Sequence, residues 1–169
     1  MFEEAIQRGA AFGRGYVQRV RRNHGLEHAT VAVLLARHGA QRLAGRATAD
    51  GFYLLAEADE ATVQSCAEEA LRRMQDGQRS LAVSPLCGTN IAVSAFCSSA
   101  AATLVLIGGR PQERFSNAFA AGVLGFIAGQ PLGRLLQREV TTSADVANVE
   151  LLGTSTVFGS LKKVQTRER

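Results

Sequence analysis

Two of the three histidines of this chain lie in one short motif, His24-Gly-Leu-Glu-His28. Residues four apart project from the same face of a helix, so both imidazoles could bind one ion with Glu27 beside them. Two neutral nitrogen ligands and a carboxylate, acting as third ligand or general base, make half of a divalent metal site. The alternative is an ordinary helix whose histidines cap, pack or face water.

A cysteine further along the chain supplies a third protein ligand. Cys87 lies in the segment Ser84-Pro-Leu-Cys-Gly-Thr-Asn90, where a charged region gives way to an uncharged one. A thiolate is a strong ligand for a borderline metal such as zinc. We therefore predict one divalent ion, with zinc as the expected metal, bound by His24, His28 and Cys87, with Glu27 as base or fourth ligand.

Charge is distributed unevenly along the 169 residues, whose net charge is +4. No charged residue occurs from Ser80 to Gly109 or from Phe115 to Gly133. Basic residues are not interleaved with aromatic ones, so we expect no nucleic-acid partner and interpret the arginines as membrane-surface charge. The three cysteines form no disulfide framework, and their odd number favours a reducing compartment or a metal role. The first residues show no signal-peptide pattern.

The two uncharged segments predict a membrane hairpin. Asn90–Gly109, within the first segment, and Phe115–Gly133 are each about as long as the roughly 20 residues that a helix needs to cross a bilayer, and a short polar turn from Arg110 to Arg114 joins them. A buried helical hairpin in a soluble protein is the competing interpretation. Lys and Arg are more numerous in the flanks than in the turn, which predicts a multi-pass protein of the cytoplasmic membrane with both termini in the cytoplasm.

Small residues suggest how the two spans associate. Gly125, Gly129 and Gly133 recur every four residues and form a flat face. Helices in lipid use such faces for close approach, here against residues such as Ser98 and Ala102 of the first span. The same face could serve a homo-oligomer or other membrane subunits.

The remaining segments predict an α+β unit in the cytoplasm, fused to the hairpin. Asn23 is the expected N-cap of a helix that ends at His38, and Asp50-Gly51 is a hairpin turn. A further helix over Asp59–Met74 and strands over Leu81–Pro85, Val149–Leu152 and Leu161–Thr166 complete the unit. We divide the chain into a basic amphipathic helix (1–22), a metal-motif α+β unit (23–89), a membrane hairpin (90–133) and strands that return to the α+β unit (134–169).

The basic helix predicted over residues 1–22 has two interpretations. Phe2, Ile6 and Ala10 recur at helical spacing with arginines elsewhere around the helix, so this segment could lie on an anionic membrane surface. It could equally be a surface helix packed on its own domain.

The order of these motifs resembles a known family. Over roughly Asn23 to Thr142 the chain resembles the YqhQ-like predicted metal-dependent membrane proteins of bacteria. The resemblance rests on three motifs: His24-Gly-Leu-Glu-His28, Cys87-Gly-Thr and Leu136-Gln-Arg-Glu-Val-Thr-Thr142. This chain has Leu86 where that family has arginine, and one extra residue before its final threonines. The stretch with Leu43-Ala-Gly-Arg46 and Gly51-Phe52 resembles more closely a related domain-of-unknown-function family that shares this core.

Two function classes follow from the motif. The first is a membrane-embedded, metal-dependent hydrolase in which Glu27 helps water attack an ester or amide at the bilayer surface. The second is a metal-stabilised scaffold or assembly subunit without catalytic activity, in which Glu27 is a ligand. The motif also matches inverted zinc peptidases, but Glu68 and Glu69 come too early to be their downstream ligand.

Overall fold

The computed structural model describes the backbone of residues 2–108 and 113–169 and the side chains of residues 13–108 and 113–169. The chain divides into a first unit, Met1–Val83 with Thr142–Arg169, and a second unit, Ser84–Thr141. The first unit combines helices with an antiparallel sheet, which confirms the α+β class. The second unit is helical.

One long helix, α1, spans Phe2–His38 and carries the histidine motif. The predicted N-cap at Asn23 is wrong, because α1 continues through this position. Asn23 is buried, and its amide donates to the Thr48 carbonyl while its oxygen accepts from Thr166. These two partners satisfy the side chain that would otherwise compete with the helix backbone. The helix ends as predicted, since Gly39 has a φ of 76°.

The N-terminal part of α1 continues without a break into the part that carries the histidines. The backbone of residues 2–22 is therefore helical, as expected. The apolar stripe predicted from Phe2, Ile6 and Ala10 lies outside the side chains that the structure describes.

The described residues of the first unit include a four-stranded antiparallel sheet in the order β1-β2-β4-β3. Its strands are β1 Ala44–Thr48, β2 Gly51–Leu55, β3 Val149–Phe158 and β4 Leu161–Glu168. The predicted Asp-Gly turn joins β1 to β2, and both C-terminal strands are confirmed. Phe52 of β2 pairs with Val164 of β4, and both side chains are fully buried. Alternation along the strands thus directs one face of the sheet into the core.

Helix α2, Glu60–Gln75, is the predicted amphipathic helix. Asp59 is its N-cap and accepts a hydrogen bond from the Thr62 amide at 2.7 Å. Cys66 lies on the buried face, where burial raises the pKa of its thiol. This thiol therefore packs as a small apolar group, as the spacing indicates.

The segment between α2 and the second unit differs from the prediction. Instead of a strand over Leu81–Pro85, Arg79–Ala82 forms a 3₁₀ helix, and a turn follows over Ser84–Cys87. Pro85 takes the second position of that turn, where its fixed φ is favourable, and it has no amide hydrogen to contribute to a sheet.

The second unit consists of α3 Gly88–Gly108, α4 Arg114–Leu136 and a π-helical turn over Gln137–Thr141. Most of the predicted polar turn between the spans lies outside the described residues. Pro131 lies inside α4, which continues past it to Leu136. Within the described residues, two helices are long and apolar enough to cross a membrane: α3, and α4 counted together with the π-helical turn.

The glycine face of α4 packs against α3, as predicted. Gly122 contacts Ser98 and Ala102, and Gly129 lies against Ser94. The homo-oligomer expected through this face stays a prediction.

Candidate metal centre

The two motif histidines lie on the same face of α1. Their ring centroids are 4.5 Å apart and the rings are inclined by 60° in an edge-to-face arrangement. His28 is buried and His24 is half-buried. The spacing of four residues brings the imidazoles together because one helical turn takes 3.6 residues. The predicted pairing of the two rings is confirmed.

One nitrogen of His28 is held by the backbone. Nδ1 lies 2.9 Å from the Ala82 carbonyl oxygen, at the end of the 3₁₀ helix. A carbonyl can only accept, so Nδ1 donates its hydrogen and the lone pair of the neutral ring is on Nε2. A hydrogen bond of this kind from a histidine to a carbonyl is the usual support of a metal-binding imidazole, because it fixes the tautomer and the ring orientation.

The glycine inside the motif allows close packing at the same place. A Cβ on Gly25 would overlap the Ser143 carbonyl oxygen and would lie 3.2 Å from the Ala82 Cβ. Ser143 is itself bound to α1, since its amide donates to the Arg21 carbonyl at 2.9 Å. Gly25 thus lets two segments distant in sequence contact the helix between the two histidines. No local pattern indicates this role of Gly25, because both partners lie far along the chain.

Glu27 is buried and lies against the sheet. Its carboxylate occupies the space beside Gly45 of β1, where a Cβ would overlap it. The glycine of the Leu43-Ala-Gly-Arg46 segment therefore makes room for the acidic residue of the histidine motif. The assignment of Glu27 as base or ligand stays a prediction.

Cys87 belongs to the second unit, whereas both histidines belong to the first. It is buried, it closes the Ser84–Cys87 turn, and its carbonyl accepts from the Ile91 amide in the first turn of α3. Its thiol is therefore attached at the amino-terminal end of a long helix. Two imidazoles and one thiol are donor types that a zinc site uses. Of the remaining candidates, His38 is the last residue of α1 and Cys66 lies on the buried face of α2.

Comparison with known proteins yields a family but no described activity. A family model described as a domain of unknown function, DUF6391, matches residues 19–154. An uncharacterized protein of Picosynechococcus sp. (strain ATCC 27264 / PCC 7002 / PR-6) is 31% identical over 140 residues. That alignment covers 73% of this chain and 66% of the relative, so the chain spans just under two thirds of the relative's length. No solved structure matches this chain.

Proposed function

The chain belongs to the DUF6391 family of domains of unknown function, and on that premise we propose that it is a membrane-embedded protein that binds one zinc ion through His24, His28 and Cys87. The observation that carries the proposal is the imidazole pair on α1, in which the Ala82 carbonyl holds Nδ1 of His28. Kinship with the YqhQ-like metal-dependent proteins is part of the same proposal, and the shared order of motifs supports it.

The short chain segment between Ala82 and Cys87 supports the inclusion of Cys87 among the zinc ligands. The carbonyl that holds His28 belongs to Ala82, and five residues of extended chain reach at most about 17 Å. The turn over Ser84–Cys87 shortens that reach further. In addition, the amino-terminal end of a helix stabilises negative charge, and cysteine binds metals as the thiolate. A set of two imidazoles and one thiolate suits zinc and leaves a fourth position for water or a further ligand.

The exposed surface of the second unit supports the membrane proposal. A soluble helical hairpin of this length would bury its large apolar side chains, yet those of α3 and α4 are mostly exposed. The exposed large side chains include Ile91, Phe96, Leu104, Ile107, Phe115, Phe119, Leu124 and Ile127. A bilayer is the solvent that such a surface requires. The excess of Lys and Arg outside the turn between the spans favours both termini in the cytoplasm.

Metal content of the purified protein tests this proposal. We expect the full-length protein, extracted with detergent from washed membranes, to contain about one zinc per chain, because three protein ligands suffice for tight binding. His28→Ala and Cys87→Ser should each lose most of the zinc, whereas Cys66→Ser, at a buried thiol of α2, should retain it. Equal zinc in all four proteins would contradict the metal site, and recovery in the detergent-free soluble fraction would contradict the membrane assignment.

Glu27 would be a general base in an enzyme and a metal ligand in a scaffold. We favour the enzyme, a metal-dependent hydrolase. A divalent ion would supply the Lewis acidity that makes water acidic near neutral pH. Glu27 would accept the proton of that water as the oxygen attacks an ester or amide carbonyl, and would return it to the leaving group. In the scaffold alternative Glu27 closes the coordination sphere. Its carboxylate is buried beside Gly45.

The variant Glu27→Gln separates the two roles. Glutamine has nearly the same shape, so the contact with Gly45 should persist, but a neutral amide cannot accept the proton from water. We expect the variant to retain its zinc and its melting temperature while any hydrolysis of model esters falls by about 100-fold or more. Zinc content, thermal unfolding and ester turnover are the measurements. Loss of zinc together with early unfolding would instead favour the scaffold, because metal affinity contributes to folding free energy.

A further inference from the structure

Two hydrogen bonds lie inside the Ser84–Cys87 turn, which carries the thiol. The Cys87 amide donates to the Ser84 carbonyl at 3.3 Å, and the Leu86 amide donates to the Ser84 hydroxyl at 3.2 Å. The Leu86 side chain is 68% exposed, so it does not anchor the turn in a core. Side chains from outside the turn add further hydrogen bonds to these two.

A buried amide of α3 supplies the first contact. Asn90 is 1% exposed, and its Nδ2 donates to the Pro85 carbonyl at 3.1 Å and to Oε1 of Gln130 at 2.7 Å. One side chain thus ties the turn to both helices of the second unit. A polar side chain inside an apolar hairpin is costly, and such residues usually have a specific role.

A second amide reaches the turn from the end of α4. Gln137, the first residue of the π-helical turn, is fully buried, and its Oε1 accepts from the Ser84 amide at 2.9 Å. A π-helical turn is uncommon and is frequently found at functional sites. Asn90 and Gln137 therefore fix two of the four residues of the turn.

Gly133, the last residue of the glycine face of α4, permits the close packing of Asn90 between the two helices. A Cβ on Gly133 would lie 2.9 Å from the Asn90 Cα and would overlap the carboxamide oxygen. Gly133 therefore leaves space between the helices for the Asn90 side chain, whose Nδ2 donates to Pro85 and Gln130.

We propose that Asn90, Gln130 and Gln137 are positioning residues that hold the Ser84–Cys87 turn so that the Cys87 thiolate is presented to the metal in one orientation. The proposal rests on the metal-binding function proposed above. Partners that orient a ligand without touching the metal typically contribute 10- to 100-fold, as an order of magnitude, to metal affinity. The three amides satisfy this description because each acts through the backbone of the turn or through another amide.

Cobalt-loaded protein tests the proposal, because a cysteine thiolate bound to Co²⁺ gives a charge-transfer absorption that histidine ligands do not. The full-length protein in detergent is titrated with Co²⁺. The double variant Asn90→Leu/Gln130→Leu removes donor and acceptor together, so no buried amide is left unpaired in the hairpin. Gln137→Leu breaks the second contact, which comes from the π-helical turn and does not involve the Asn90–Gln130 pair. Ser94→Ala, at a buried position of α3 without a bond to the turn, is the matched control.

We expect the wild type and Ser94→Ala to show the thiolate absorption, and both amide variants to lose most of it with about 10- to 100-fold weaker Co²⁺ binding. The melting temperature of each protein shows whether it is folded. Unchanged absorption and affinity in a folded Gln137→Leu protein overturns the positioning role. Absence of the thiolate absorption in the wild type overturns the metal-binding function itself, so the two failures are distinguishable.

Discussion

Gly25→Ala is expected to lower the free energy of unfolding by about 1–3 kcal/mol, although alanine is the better helix former. The new Cβ would overlap the Ser143 carbonyl oxygen and press on Ala82, whose carbonyl holds His28. The helix has to move away from one or both segments, so the zinc affinity should fall as well. Chemical unfolding of the full-length protein in detergent and a zinc competition titration are the measurements.

The same helix offers a matched control for this prediction. Gly15 also lies in α1, but apart from its own stretch of helix no atom of the described residues lies within 4 Å of the position its Cβ would take. Gly15→Ala should therefore stabilise the protein by about 0.5–1 kcal/mol, the ordinary helix-propensity gain, with unchanged zinc affinity. If Gly25→Ala were equally stabilising, the packing described between the histidines would be wrong.

Gly129→Leu is expected to disrupt the second unit. A Cβ on Gly129 would lie 2.6 Å from the Ser94 Cα, so the two helices have to separate even for alanine. Leucine should lower the stability of the hairpin by about 3 kcal/mol, at the top of the range for overpacking. Unfolding of the protein by titration with a denaturing detergent, followed by circular dichroism, measures the loss.

Gly108→Leu is the control for the hairpin. Gly108 ends α3, and apart from its own stretch of helix no described atom lies within 4 Å of its Cβ position, so leucine should be tolerated there. Comparable losses at both positions would mean that apolar bulk anywhere on these helices is harmful. The close α3–α4 contact would then not be the cause.

Local signals were sufficient for most elements of the fold. The β1–β2 hairpin follows from Asp50-Gly51, because this dipeptide takes the backbone conformation that a two-residue turn requires. Helix α2 follows from its apolar spacing and the capping carboxylate of Asp59. The length and composition of the uncharged segments predicted α3 and α4 to within a few residues.

The errors arose where long-range contacts decide the local structure. Asn23 has the composition of a helix start, but its partners Thr48 and Thr166 lie 25 and 143 residues away, and they let the helix continue. Val83 and its neighbours resemble a strand, yet Pro85 favours a turn and Gln137, 53 residues on from Ser84, holds it. No local pattern contains these partners.

The candidate site was predictable in its chemistry but not in its support. His24 and His28 were identified because the spacing of metal ligands on a helix is a local property. The fixed tautomer of His28 depends on Ala82, and the position of Glu27 depends on Gly45. These supports come from a backbone carbonyl and from the space that a glycine leaves beside the Glu27 carboxylate. Residue types alone do not reveal either of them.

X-ray absorption at the zinc edge of the purified, zinc-loaded protein tests the central claim most directly, because it counts and identifies the atoms bound to the metal. The site proposed here predicts one sulfur at about 2.3 Å and at least two imidazole nitrogens at about 2.0–2.1 Å. Cys87→Ser should remove the sulfur contribution. A zinc environment with oxygen and nitrogen ligands and no sulfur in the wild type would contradict the claim that His24, His28 and Cys87 bind one ion.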